Sequence, residues 1–142
     1  MSVTGRMVDD LDVRAWALTA SAHEVGRWRR VVGEVLVEWG ATDPAVELAK
    51  LGVSELLTNV VTHVDSAFCC LVVARAEREA IVQVQDFSPT MPRIVEPDWT
   101  RESGRGLWLL RQLACRFGAQ RTCIGKIIWF GCELARQEDA VR

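Results

Sequence analysis

Residues 43–63 read DPAVELAKLGVSELLTNVVTH, and the reading of this stretch decides the fold. Asp43 and Pro44 open it as an N-cap and a first helical residue, because a short acceptor side chain followed by a fixed φ suits a helix start. From there Val46, Leu48, Ala49, Val53, Leu56, Leu57, Val60 and Val61 cover much of the helix circumference. A helix apolar on so many sides is predicted to be buried on more than one of them. Glu55 and Asn59 interrupt the apolar segment four residues apart, so they share one helix face. Polar groups placed there need partners. An amide oxygen is a hard ligand suited to Mg²⁺, and a neighbouring carboxylate can take a proton from an attacking hydroxyl. Taken alone, the pair also fits a solvated helix face or a satisfied buried pair.

Working outward, residues 11–20 alternate apolar and polar and read as a strand. Val25, Trp28, Val32, Val35, Leu36 and Trp39 then recur at helical spacing, and Gly40 ends that helix. Downstream of the central helix, residues 67–74 and 81–85 read as an antiparallel strand pair joined by a short charged connection. Residues 87–103 hold Pro89, Pro92 and Pro97 without a clear period, and form a long loop. Gly104-Arg105-Gly106 opens another helical pattern through Leu107, Leu110, Leu113, Ala114 and Phe117, closed by Gly118. Residues 119–123 and 126–134 form a terminal hairpin about Ile124-Gly125. Helices do not alternate regularly with strands, which argues against a doubly wound parallel sheet. The predicted fold is α+β: a two-layer sandwich with three helices covering one face of a mixed, mostly antiparallel sheet. One domain is expected over residues 11–135, with a flexible N-terminus at 1–10 and a frayed end at 136–142.

The bulk numbers agree with a single globular domain: 142 residues, 49% hydrophobic and 25% charged. A net charge of −2, with arginines interleaved among acids, gives no footprint for direct nucleic-acid binding. Five cysteines, none at C-x-x-C spacing, read as reduced thiols serving mostly as small core hydrophobes. The first ten residues lack a signal-peptide core, and no apolar run is long enough for a membrane span, so a cytoplasmic location is expected. Trp28, Trp39, Trp108 and Trp129 fall at expected core positions, and Trp16 and Trp99 at expected surface positions.

Two further features carry chemistry. Asp86 ends the β-rich run Ile81-Val82-Gln83-Val84-Gln85 and opens into the long loop. A carboxylate there can accept a hydrogen bond from an exocyclic amine such as adenine's, although an acid where a strand stops is also an ordinary turn residue. Gly104-Arg105-Gly106 at a helix start is a candidate phosphate cradle, since glycines admit an anion to free N–H groups at the positive end of the helix dipole. A hinge at a helix entry is the alternative.

The order and spacing of these features resemble those of the GHKL ATPases, the superfamily of gyrase, the histidine kinases and related chaperones. Residues 54–63, SELLTNVVTH, look like its N box. Residues 84–89, VQDFSP, with Pro92, look like its first glycine box, and residues 102–110, ESGRGLWLL, like its second. Residues 125–130, GKIIWF, look like the closing strand. The resemblance covers residues 22–134 and is nearest to the small stand-alone anti-sigma-factor serine kinases of actinobacterial type. It implies a Bergerat ATP-binding fold that uses ATP and Mg²⁺. Glu55 matches the general base, Asn59 the Mg²⁺ ligand and Asp86 the adenine-reading acid. Ser88, Gly104, Arg105, Gly106 and Leu107 match the remaining nucleotide-binding positions, beneath a lid at 93–103. It also implies a serine/threonine kinase acting on an anti-sigma-factor antagonist of STAS type, sequestration of a sigma factor, and a homodimer. A weakly catalytic ATP-sensing module that regulates by sequestration is the alternative. Ser88 stands where the family usually has glycine, the lid is short, and Ile127 and Ile128 offer no hydroxyl on the closing strand.

Overall fold

A computed structural model of the chain describes residues 5–9, 12–63, 66–100 and 105–134. Its elements are β1 (Gly5–Asp9), β2 (Val13–Thr19), α1 (Val25–Glu38), α2 (Asp43–His63), β3 (Phe68–Ala76), β4 (Glu79–Asp86), α3 (Gly106–Leu113), β5 (Arg116–Arg121) and β6 (Lys126–Glu133). The strands form one sheet in the order β1-β2-β3-β4-β6-β5. The fold class is the predicted one, an α+β sandwich. Every described ladder is antiparallel, so the sheet is not mixed.

The period of two along the strands sorts side chains onto two faces. Trp16 and Leu18 of β2, Cys69, Leu71 and Val73 of β3, Ala80, Val82 and Val84 of β4, and Ile128 and Phe130 of β6 are buried on one face. α1, α2 and α3 cover that face. α2 lies at the centre, with Ala49, Val53, Leu56, Leu57 and Val60 nearly inaccessible, which matches its apolar circumference. The opposite face carries Ala17, Cys70, Val72, Ile81, Ile127 and Trp129, with no described helix over it.

α2 comes close to the sheet because it carries Gly52. A Cβ there would run into the ring of Phe130, so only glycine lets the helix backbone rest on that ring. α1 ends where the sequence placed its stop. Gly40 adopts φ +79°, and the Ala41 N–H donates to the Leu36 carbonyl at 2.9 Å, closing the last turn. Trp39, beside this stop, is stacked by the guanidinium groups of Arg14 and Arg75 at 5.6 and 5.3 Å.

Several expectations are corrected. Residues 5–9, expected to be flexible, pair with β2 as an edge strand, with a register shift between Arg6 and Val8. The α2 start lies one residue earlier than predicted: Thr42, not Asp43, caps it, its Oγ1 accepting from the Ala45 N–H at 3.4 Å. α3 stops at Leu113, and Phe117 and Gly118 belong to β5 instead of the helix. Trp16 is core, 6% exposed and 5.9 Å from the ring of Trp28, whereas Trp99 is half exposed as expected. Of the cysteines, only Cys69 and Cys132 are buried, and Cys115 and Cys123 are exposed. The expected frayed end at 136–142 lies outside the described residues. Among the described residues no helix is long and apolar enough to cross a membrane.

Candidate functional site

α2, the loop after β4, the start of α3 and the start of β6 enclose a cavity of about 660 Å³. That size suits a small-molecule ligand of nucleotide class. Glu55, Thr58, Asn59 and Thr62 line it from α2, Met91 and Ile94 from the loop, and Gly106, Leu107 and Trp108 from α3. The helical spacing that placed Glu55 and Asn59 on one face therefore turns that face into the cavity. Lys126 lines it from β6.

Asn59 Oδ1 is buried and has no hydrogen-bond partner. A buried amide oxygen without a partner is costly unless a ligand supplies one. It is a hard donor of the kind Mg²⁺ takes. Among the described residues no three His, Cys, Asp or Glu side chains converge on a metal position. A divalent ion bound through Asn59 would complete its shell with phosphate oxygens and water, as Mg²⁺ does in nucleotide sites. The residues present fit that ion.

One turn earlier on α2, the Glu55 carboxyl is half-buried, and burial pushes its pKa up from the ordinary 4.5. It stands against the first residue of α3. A Cβ at Gly106 would meet the carboxylate, so a larger residue there would push the end of the Glu55 side chain aside. Among the described residues no side chain caps α3, and its first residues, Gly106 and Leu107, line the cavity.

The other predicted site residues divide. Leu107 lines the cavity, as Gly106 does. Arg105 does not: its Nη2 donates to the Trp99 carbonyl at 3.1 Å, and its guanidinium stacks over the Trp99 ring. Trp99 in turn meets Trp108 edge-on at 5.3 Å, so Arg105 and Trp108 clasp the loop to α3. Gly104 lies outside the described residues, as do residues 101–103 of the expected lid. Ser88 folds back on the strand end, its N–H donating to Asp86 Oδ1 at 2.9 Å. Asp86 is 1% exposed and forms no part of the cavity wall. Its Oδ2 pairs with Lys126 Nζ at 2.8 Å.

Sequence reasoning missed Lys126. The residue precedes Ile127 and Ile128, and a lysine at a strand start reads as surface. The signal that finds it is register: β4 and β6 pair Asp86 with Lys126 directly. Thr58, Thr62 and Met91 were also missed, being unremarkable until the loop and helix are folded together.

The family described as histidine kinase-like ATPase domain matches the chain over residues 18–131. No curated protein matches it.

Proposed function

The chain belongs to the histidine kinase-like ATPase family, and on that premise we propose that it is a Mg²⁺- and ATP-dependent protein serine/threonine kinase. Its proposed substrate is a STAS-type anti-sigma-factor antagonist, and its proposed second partner a sigma factor that it holds out of transcription in the cytoplasm. Family membership supports ATP binding. The observation that carries the reading further is the buried, partnerless Asn59 oxygen one helical turn from a carboxyl of raised pKa in the same cavity.

Phosphoryl transfer asks the protein for positioning and electrostatic stabilisation. Asn59 Oδ1 would hold Mg²⁺, which would supply neutralisation of phosphate charge when bound. The first-turn N–H groups of α3 at Gly106 and Leu107 orient the phosphates. Glu55 accepts the proton of the incoming serine hydroxyl, and partial burial brings its pKa nearer the working pH, where a general base is most effective. Incubation of the protein and a STAS-type antagonist with labelled ATP tests the reading. Wild type is expected to label a serine or threonine of the antagonist, and Glu55→Ala to do so about 10²–10⁴-fold more slowly. No transfer, or equal transfer by the variant, overturns the kinase proposal.

One observation favours the second reading, an ATP-sensing module that sequesters its partner without phosphorylating it. Arg105 is held against the carbonyl and ring of Trp99 and is not among the residues that line the cavity. ATP binding with no transfer to any antagonist supports that reading. A homodimer is also proposed, supported by the apolar sheet face that no described helix covers. Light scattering at rising protein concentration is expected to give twice the monomer mass, and the monomer mass throughout contradicts it.

A further inference from the structure

A nucleoside triphosphate brings several negative charges into a cavity, and a bound Mg²⁺ offsets only part of them. Among the described residues that line this cavity, three side chains ionise: Glu55, Arg93 and Lys126. Glu55, when it serves as a base, has the same sign as the phosphates. Lys126 is 2% exposed and its ammonium faces Asp86 Oδ2 at 2.8 Å, so that pair is close to neutral as a unit. Arg105 is not on the wall and is held at the Trp99 carbonyl and ring. Arg93 is the cation left over.

Arg93 lies on the loop between β4 and α3, whose course is fixed on both sides of it. Near the strand end the Ser88 N–H donates to Asp86 Oδ1 at 2.9 Å, and the Thr90 N–H to Ser88 Oγ at 3.3 Å. Farther on, Pro97 is buried and the Trp99 ring meets Trp108 of α3 at 5.3 Å. Between these anchors Met91 and Ile94 line the wall and are only partly exposed, so the backbone beside Arg93 is seated against the cavity. The Arg93 side chain itself is exposed, and among the described residues no acid, carbonyl or ring holds its guanidinium. A guanidinium presents five N–H donors in a planar fork that matches paired phosphate oxygens. Hydrogen bonds of this charged kind are about twice as strong as neutral ones.

We propose that Arg93 is a phosphate-binding residue of the site, its guanidinium taking phosphate oxygens from the loop side of the cavity. The proposal rests on the nucleotide-binding reading above and deepens it. It gives the loop the role that the sequence suggested for Arg105. Recognition by an exposed charge is screened by salt, whereas apolar contacts to a base are not. The contribution of Arg93 is therefore greatest at low ionic strength.

Calorimetric titration of the full chain with ATP and excess Mg²⁺, at low and at high salt, tests this on wild type, Arg93→Ala and Arg93→Glu. At low salt Arg93→Ala is expected to weaken ATP binding about tenfold, and Arg93→Glu to weaken it further. Wild-type affinity is expected to fall as salt rises, and to fall less steeply in Arg93→Ala. Arg93 has no described partner to lose, so both variants are expected to melt within about 2 °C of wild type without nucleotide. An ATP affinity in Arg93→Ala within about twofold of wild type at low salt overturns the proposal and leaves nucleotide binding intact. A loss in Arg93→Ala that is the same at both salt concentrations overturns it as well, by reducing Arg93 to a residue that shapes the loop. Absence of ATP binding by wild type overturns the nucleotide reading, and this inference with it.

Discussion

Glu55 is a carboxyl held half out of water, and two pH dependences follow from that one fact. Burial disfavours the charged form, so its pKa lies above the ordinary 4.5. As a base it must be ionised, so the acid limb of the transfer rate is expected to have its midpoint above pH 4.5, read from a pH–rate profile at saturating ATP. Stability runs the other way. A carboxyl with a raised folded-state pKa stabilises the fold fully below its unfolded value and loses that contribution as pH rises through the folded value. Glu55→Gln, which cannot ionise, is therefore expected to melt above wild type at neutral pH, and the difference is expected to vanish near pH 4.5. Thermal melts across that range check the sign. The Asp86–Lys126 pair makes a second residue-scale prediction. Removing one partner of a buried pair leaves an unpaired charge and costs about 3–5 kcal/mol, while removing both costs much less. Urea unfolding of Asp86→Asn, Lys126→Met and their combination is expected to show the double variant more stable than the sum of the singles implies. At this scale the sequence showed which residues matter more readily than which way they point. Glu55 and Asn59 share a face by spacing alone. The inward turn of Lys126 and the outward turn of Arg105 depend on strand register and on a loop tryptophan, and neither is a local property.

Among the elements, α2 organises the molecule, and its glycine tests how closely it lies on the sheet. Gly52→Ala drives a methyl into the Phe130 ring, and overpacking of this kind costs about 1–3 kcal/mol. Gly26→Ala in α1 meets nothing within 4 Å and is expected to be neutral or stabilising by up to about 1 kcal/mol, because alanine is the better helix former. Denaturant midpoints of the two variants should move in opposite directions or differ by that margin. The elements were legible where punctuation was strong. Pro44 and Gly40 bracket the turn between α1 and α2, and both boundaries fall within a residue of expectation. They were illegible where two periods fit one run. Leu107, Leu110, Leu113, Ala114 and Phe117 satisfy a helical repeat, but Phe117 and Ala119 also alternate, and pairing with Phe130 and Ile128 wins. The Ala114 backbone at ψ 149° marks the switch. β1 gave no signal because an edge strand needs little apolar alternation of its own, deriving its order from the neighbour it pairs with.

For the whole molecule, the architecture places one face of α2 over a cavity whose walls come from distant parts of the chain. The loop and α3 close one side, clasped together by Trp99, Trp108 and Arg105, and the β4–β6 ladder closes the inner end. Family membership explains the fold and the expectation of ATP, while the kinase reading rests on the chemistry of two side chains. The central claim is that Asn59 completes a Mg²⁺–nucleotide site in this cavity. Calorimetric titration of ATP, with and without Mg²⁺, into wild type and Asn59→Ala tests it most directly. Wild type is expected to bind ATP more tightly when Mg²⁺ is present, and Asn59→Ala to lose that dependence while remaining folded. Absence of ATP binding by wild type at any Mg²⁺ concentration, or an unchanged Mg²⁺ dependence in the variant, would contradict it.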